Sequence, residues 1–114
     1  LLQLLDQLVQ AGYQSDQRFT ESFIRSRINR GLGQMRIERE LKEKGIDQDL
    51  IEQSFAVEID WFELAYECGL RKFRSLDLYD YKEKQKAFRY LAYRGFSMDQ
   101  IRFAVEHYLE LQKS

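Results

Sequence analysis

The chain has no proline, one cysteine, one histidine and no apolar run near the ~20 residues that span a bilayer. Each absence closes off a class of protein. Without proline there is no obligatory helix break, and a loop-rich sandwich is a poor fit. A lone Cys68 excludes an intramolecular disulfide and a cysteine-based zinc site, and fits a reducing cytoplasm. His107 is the single imidazole, so the sequence offers it no second histidine for a metal. Nothing resembles a signal peptide, and the expectation is a cytoplasmic chain with no membrane partner. A net charge of −1 gives no overall pull towards nucleic acid.

What is present is enough to build a core. Hydrophobic residues make up 44% of the 114, with eight Phe, seven Tyr and one Trp, so disorder is excluded. Apolar residues recur at helical spacing and no segment alternates with period two, which makes the chain all-α. The spacing predicts a helix over residues 1–11, a second capped by Ser15 or Asp16 and carrying Phe19, Phe23, Ile24 and Ile28, and a third from Gln34 to Lys44. Asp47 heads a fourth. Three capping boxes (Asp60 with Glu63, Asp80 with Glu83, Ser97 with Gln100) open the remaining helices, with a connector over 74–79.

One phrase occurs three times: a Leu, three residues, a Gly, then a large apolar residue. The copies begin at Leu8, Leu41 and Leu91 and turn on Gly12, Gly45 and Gly95, the first needing one extra residue to stay in register. Glycine adopts the left-handed conformation of a helix stop, and the apolar residue after it folds back on the helix just ended. Tandem helical repeats make surfaces for macromolecules more often than pockets for small substrates. The expected division is 1–31 as the C-terminal part of a truncated first helical repeat, 32–78 as a second repeat of three helices and 79–114 as a third helical repeat. Residues 1–9 carry apolar side chains on too many sides for a helix with one covered face, which is the basis for expecting a truncation.

The small net charge hides segregation. Residues 25–44 hold seven basic and three acidic groups, 45–70 hold seven acidic and no Lys or Arg, and 71–94 hold eight basic and three acidic. The candidate partner-binding residues are Arg25, Arg27, Arg30, Arg36 and Arg39, with Lys82, Lys86 and Arg89 recurring on one helical face beside Tyr90 and Tyr93. Arginine forks grip carboxylate or phosphate, and tyrosines supply rigid contact area or stack on bases. Solvated helix faces with local ion pairs, and cations favoured at helix C-termini, explain the same pattern without a partner. Reversing Arg36 and Arg39 to Glu is expected to weaken partner binding while leaving stability nearly unchanged.

Catalytic chemistry has little to stand on. Cys68 lies on an apolar helix side as an inert thiol, and Asp47, Asp49, Asp77 and Asp80 sit where helix capping explains them. Gly31-Leu32-Gly33 lacks the lysine and hydroxyl ending of a phosphate loop. The expectation is a non-enzyme with no cofactor and no metal.

The stretches FIRSRINRGLGQMRIERELKEKGID, DWFELAYECGLRKF and EKQKAFRYLAYRGFSMDQI, with the opening GYQSDQRFTESFI, resemble the RecX family of bacterial RecA regulators across nearly the whole chain. One departure is Gly33-Gln34, where family members often carry proline, which implies a looser helix start. The resemblance implies tandem three-helix units in an elongated, curved array. It implies binding to the RecA recombinase, above all to its filament on single-stranded DNA, and restraint of that filament's growth and activities by a monomer. The basic residues named above carry over as contact candidates only. The alternative is a helical protein that competes directly for single-stranded DNA.

Overall fold

A computed structural model describes residues 2–55 and 58–113, with side chains from residue 16 onward. Among the described residues six helices follow in order: α1 Leu2–Asn29, α2 Gln34–Glu43, α3 Gln48–Ser54, α4 Trp61–Arg74, α5 Tyr81–Tyr93 and α6 Met98–Lys113. There is no strand among the described residues, so the all-α reading holds. The molecule is elongated, 68 Å in its longest direction against 24 and 19 Å.

Three glycines punctuate the helices, and they share one geometry. Gly31, Gly45 and Gly95 have φ of 80°, 82° and 99°. After each helix the glycine N–H donates to a carbonyl three residues back, at 2.9, 3.0 and 3.0 Å. The next N–H, of Leu32, Ile46 or Phe96, reaches five residues back to Arg27, Leu41 or Leu91, at 3.1, 3.1 and 3.2 Å. This is the double bond pattern of a Schellman stop. Leu32 and Phe96 are buried by it, and Ile46 packs on the same core.

Gly12 is not one of the three. Helix α1 runs from Leu2 to Asn29 without a break, so the separate helices expected over 1–11 and from Ser15 or Asp16 are one. An interior glycine costs a helix only about 1 kcal/mol relative to alanine, too little to stop it unaided. Phe19, expected on the apolar side of the helix after that stop, is 44% exposed. The true first stop is Gly31, whose lead position is Arg27 rather than leucine. The expected apolar surplus of residues 1–9 concerns side chains outside the described residues.

Packing groups the helices as α1–α3 and α4–α6. The breaks expected at 31/32 and 78/79 therefore fall inside units rather than between them. Both are connectors, α1 to α2 and α4 to α5, which local sequence does not tell from boundaries. One apolar cluster runs through both units, from Phe23, Ile24, Ile37, Leu41 and Ile51 to Trp61, Ala65, Phe73, Leu91 and Ile101. Ile37, Leu41, Leu91 and Ile101 have no exposed surface, as their spacing requires.

The caps are only partly as expected. Asp60 accepts from the Glu63 N–H at 3.1 Å and Asp80 from the Glu83 N–H at 3.2 Å. Ser97 and Gln100 complete a reciprocal box at 3.2 and 2.9 Å. Asp47 occupies the N-cap position of α3, but its side chain makes no capping bond.

Candidate functional site

The basic residues divide into those the fold consumes and those it leaves outward. Arg27 and Arg36 converge from α1 and α2 on Glu40, with Nε to carboxylate distances of 3.0 and 3.4 Å. Arg27 also lies over the Phe23 ring at 4.2 Å. Burial raises the Glu40 pKa, but the Arg27 hydrogen bond and charge, followed by those of Arg36, outweigh it and hold the carboxyl below its ordinary value. Arg36 further reaches the Tyr93 carbonyl at 3.5 Å and stands 5.4 Å from the Tyr93 ring. Its reversal therefore bears on the fold, contrary to the expectation of unchanged stability. Arg39, one turn on, is exposed, and no carboxylate among the described residues holds it.

Arg25 is exposed at the edge of a groove of about 440 Å³ between α1 and α3, floored by Ile24, Ile28 and Leu50. Arg30 is exposed in the turn after α1, and its carbonyl is taken by Arg94. On α5, Lys82, Lys86 and Arg89 are all exposed on one face, with Tyr81 and Tyr93 at 74% and 79% exposure near its two ends. Lys86 pairs with Glu83 at 3.1 Å within the helix, a contact of small worth in water. The two basic stretches meet where Arg36 touches Tyr93 and where Arg94 reaches the Arg30 carbonyl.

That meeting point joins the units. The Gly33 N–H donates to the Arg94 carbonyl at 2.7 Å, and the Met35 N–H to the Gly95 carbonyl at 3.1 Å. Carbonyls at the end of α5 thus satisfy donors that the start of α2 cannot bond internally, and opposite helix-dipole ends face each other. Gln34 begins its helix with a substitute for a side-chain cap, so the start expected to be loose is held. Backbones come so close because neither position carries a side chain: a Cβ on Gly33 would lie 2.5 Å from the Gly95 carbonyl. Arg94 closes the seam, with Nη1 3.1 Å from the Arg30 carbonyl and its guanidinium 4.7 Å from the Tyr90 ring.

Sequence reasoning missed Arg94, the Gly33–Gly95 approach and both methionines. Arg94 looked like one more cation at a helix end, and no periodicity links residues 33 and 95. Met35 and Met98 gave no signal because each opens a helix without joining its apolar stripe.

Cys68 is half-buried; burial pushes its thiol up, nearby Arg94 opposes this and Glu67 adds to it. His107 stacks on Phe103 at 5.5 Å and meets the Tyr66 ring edge-on at 4.7 Å, a packing role. No group of three or more metal-ligating side chains occurs among the described residues. No described helix is long and apolar enough to cross a membrane.

Known families divide the chain as its packing does. Residues 15–54 match the model of the RecX second three-helix domain, and residues 58–105 that of the RecX third three-helix domain. The Regulatory protein RecX of Legionella pneumophila (strain Corby) is 48% identical over 91 residues, 79% of this chain and 61% of that protein. Its namesake in Vibrio vulnificus (strain CMCP6) is 42% identical over 95 residues, 82% of this chain and 62% of that one. The Chromohalobacter salexigens protein of the same name is 42% identical over 105 residues, 91% of this chain and 68% of its own length. The chain spans about three-fifths of the length of the first two relatives.

Proposed function

Because this chain belongs to the RecX family, whose curated members are named regulatory proteins, we propose that it binds the RecA recombinase filament on single-stranded DNA. There it restrains filament growth, ATP turnover and recombination, as a cytoplasmic non-enzyme. The observation that carries this reading is the locked pair of three-helix units presenting Arg39 on α2 and Lys82, Lys86 and Arg89 on α5 to the outside. A rigid, elongated array with outward guanidinium and ammonium groups suits a long acidic or mixed protein surface. Bound across neighbouring subunits, it would hinder their exchange by occupying both at once.

A second reading, direct competition for single strands, draws on the exposed Tyr81 and Tyr93 beside Lys82, Lys86 and Arg89. Seven exposed carboxylates on and around α3 and α4 weigh against it, because they repel phosphate over much of the surface. Binding to DNA alone, to recombinase alone and to the filament, each across a salt series, separates the two. Phosphate-driven binding falls with a log–log slope near −0.7 per neutralised single-strand phosphate, and contacts through a mixed protein surface fall less.

The expected result is inhibition of filament ATP turnover, with affinity greatest for the filament. Reversing Lys82, Lys86 and Arg89 together should weaken filament binding roughly five- to tenfold, about 1 kcal/mol, with the helical spectrum unchanged. Tight DNA binding that gains nothing from recombinase would replace this reading with the second.

A further inference from the structure

Both methionines of the chain open onto one groove. Met35 stands at the start of α2 and Met98 at the start of α6, and they are 60% and 56% exposed. Tyr93, at the end of α5, is 79% exposed on the same groove, whose floor is the buried Phe96. Arg36 and Arg39 line its α2 side, and the space measures about 490 Å³. The geometry points to a docking site for an acidic segment of a partner protein that carries a large apolar side chain.

Core packing does not account for three large apolar side chains left more than half exposed in one place. Methionine is unbranched and polarizable, and it adapts to an incoming side chain at little cost. The groove is open and a few side chains in size, which suits a segment of chain rather than an enclosed metabolite.

Charge fixes the sign of the occupant. Arg36 is shared between Glu40 and the Tyr93 carbonyl, whereas Arg39 has no carboxylate among the described residues. Asp99, next to Met98, faces Arg102 at 3.8 Å. An entering carboxylate therefore meets an available guanidinium, and no carboxylate is among the residues that line the groove. A nucleic acid could use Arg39 and Tyr93, but it offers the two thioethers less than an apolar side chain does. A protein segment uses all of them.

This inference deepens the proposed function, and rests on it only in taking the partner to be a protein. With just two methionines, [13C]methyl-methionine labelling places both reporters in the groove. The probe is a synthetic peptide alternating Glu and Phe; the controls are its Lys-for-Glu and Ala-for-Phe counterparts and an oligothymidine. Both methyl signals should shift saturably with the Glu–Phe peptide, and each control should bind at least about fivefold more weakly. Arg39→Glu should weaken the peptide by a similar factor without changing the helical spectrum, while Arg71→Glu, exposed on α4 and outside the groove, should leave it unaltered. Methyl signals unmoved by the Glu–Phe peptide, moved equally by the Lys peptide, or moved more by oligothymidine would overturn the assignment. Filament inhibition measured alongside keeps the failures apart: an inert peptide with inhibition intact removes the groove and leaves the function standing.

Discussion

Every helix of the second unit starts with a side-chain cap, from Asp60, Asp80 or the Ser97–Gln100 pair, whereas α2 and α3 of the first unit start with none. The aromatic packing is as uneven. Helices α4 and α6 hold Phe73 against Tyr108 at 5.3 Å and Phe62 against Phe103 at 5.6 Å. In the first unit Phe23 packs on the exposed Phe19, and Phe55 finds its ring partner in Trp61 of α4, at 5.9 Å. The first unit also takes the satisfaction of its α2 donors from α5. The second unit is close to self-sufficient, and the first leans on it. A binding array can thus keep one stable anchor and tune the angle of its neighbour through a short seam.

The largest test sets Leu91→Ala against Leu41→Ala. Both side chains are fully buried, and each truncation should cost about 2–5 kcal/mol. The distribution of the loss is what distinguishes them. Leu91→Ala weakens the supporting unit, so amide protection should fall in all six helices. Leu41→Ala should open α1–α3 while α4 and α6 keep theirs. Equal loss across the molecule in both variants would erase the asymmetry.

The seam itself comes next. Gly33 has an ordinary φ of −88°, so alanine there meets no conformational penalty, but its Cβ meets the Gly95 carbonyl at 2.5 Å and the Phe96 nitrogen at 2.7 Å. Gly33→Ala should cost roughly 1–3 kcal/mol as an overpacked contact, releasing α2 from α5. Gly45→Ala makes the contrast: its Cβ meets nothing within 4 Å, and only the strain of φ 82° remains, about 1 kcal/mol. Denaturant midpoints for the pair measure what the close approach adds beyond backbone conformation. A Gly33→Ala cost below that of Gly45→Ala would mean the seam yields freely.

How much of this was legible in the sequence depends on the range of the interaction. Stops at Gly45 and Gly95, starts at Asp60, Asp80 and Ser97, and the burial of Leu41 and Leu91 are local or periodic, and the sequence states them. Gly12 misled because a glycine permits a stop without imposing one, and its resemblance to the true stops ended with the backbone. The division into units was hidden because connectors within a unit and linkers between units share composition. Site residues were harder. Arg27, Arg36 and Arg39 look alike in sequence, and only folding shows that Glu40 and Tyr93 occupy the first two and leave the third.

Capping offers a smaller and cleaner contrast. Asp80→Ala removes an acceptor from the Glu83 N–H and should cost about 1 kcal/mol. Asp47→Ala, at the corresponding position of α3, removes no capping bond and should cost a few tenths at most. Thermal midpoints that move equally would show that Asp47 caps in solution, and the two units would then differ less at their helix starts.

The smallest effect concerns Glu40, which ties α1 to α2 through Arg27 and Arg36. Its folded pKa is depressed, because the two arginines outweigh the burial that would raise it. A depressed carboxyl contributes its stability above the unfolded value, near pH 4.3 for glutamate, and loses it as pH falls through the lower folded value. With the side chains of Glu40 and Arg27 each 22% exposed, solvent screening limits the contribution to under about 1 kcal/mol. Glu40→Gln should therefore lower stability slightly at neutral pH and flatten its decline between about pH 5 and 3. The change should register in α1–α3 amides before those of α4–α6, since neither arginine partner belongs to the second unit. An acid limb identical to that of the parent would show that the pair contributes nothing, leaving the first unit even more dependent on its neighbour.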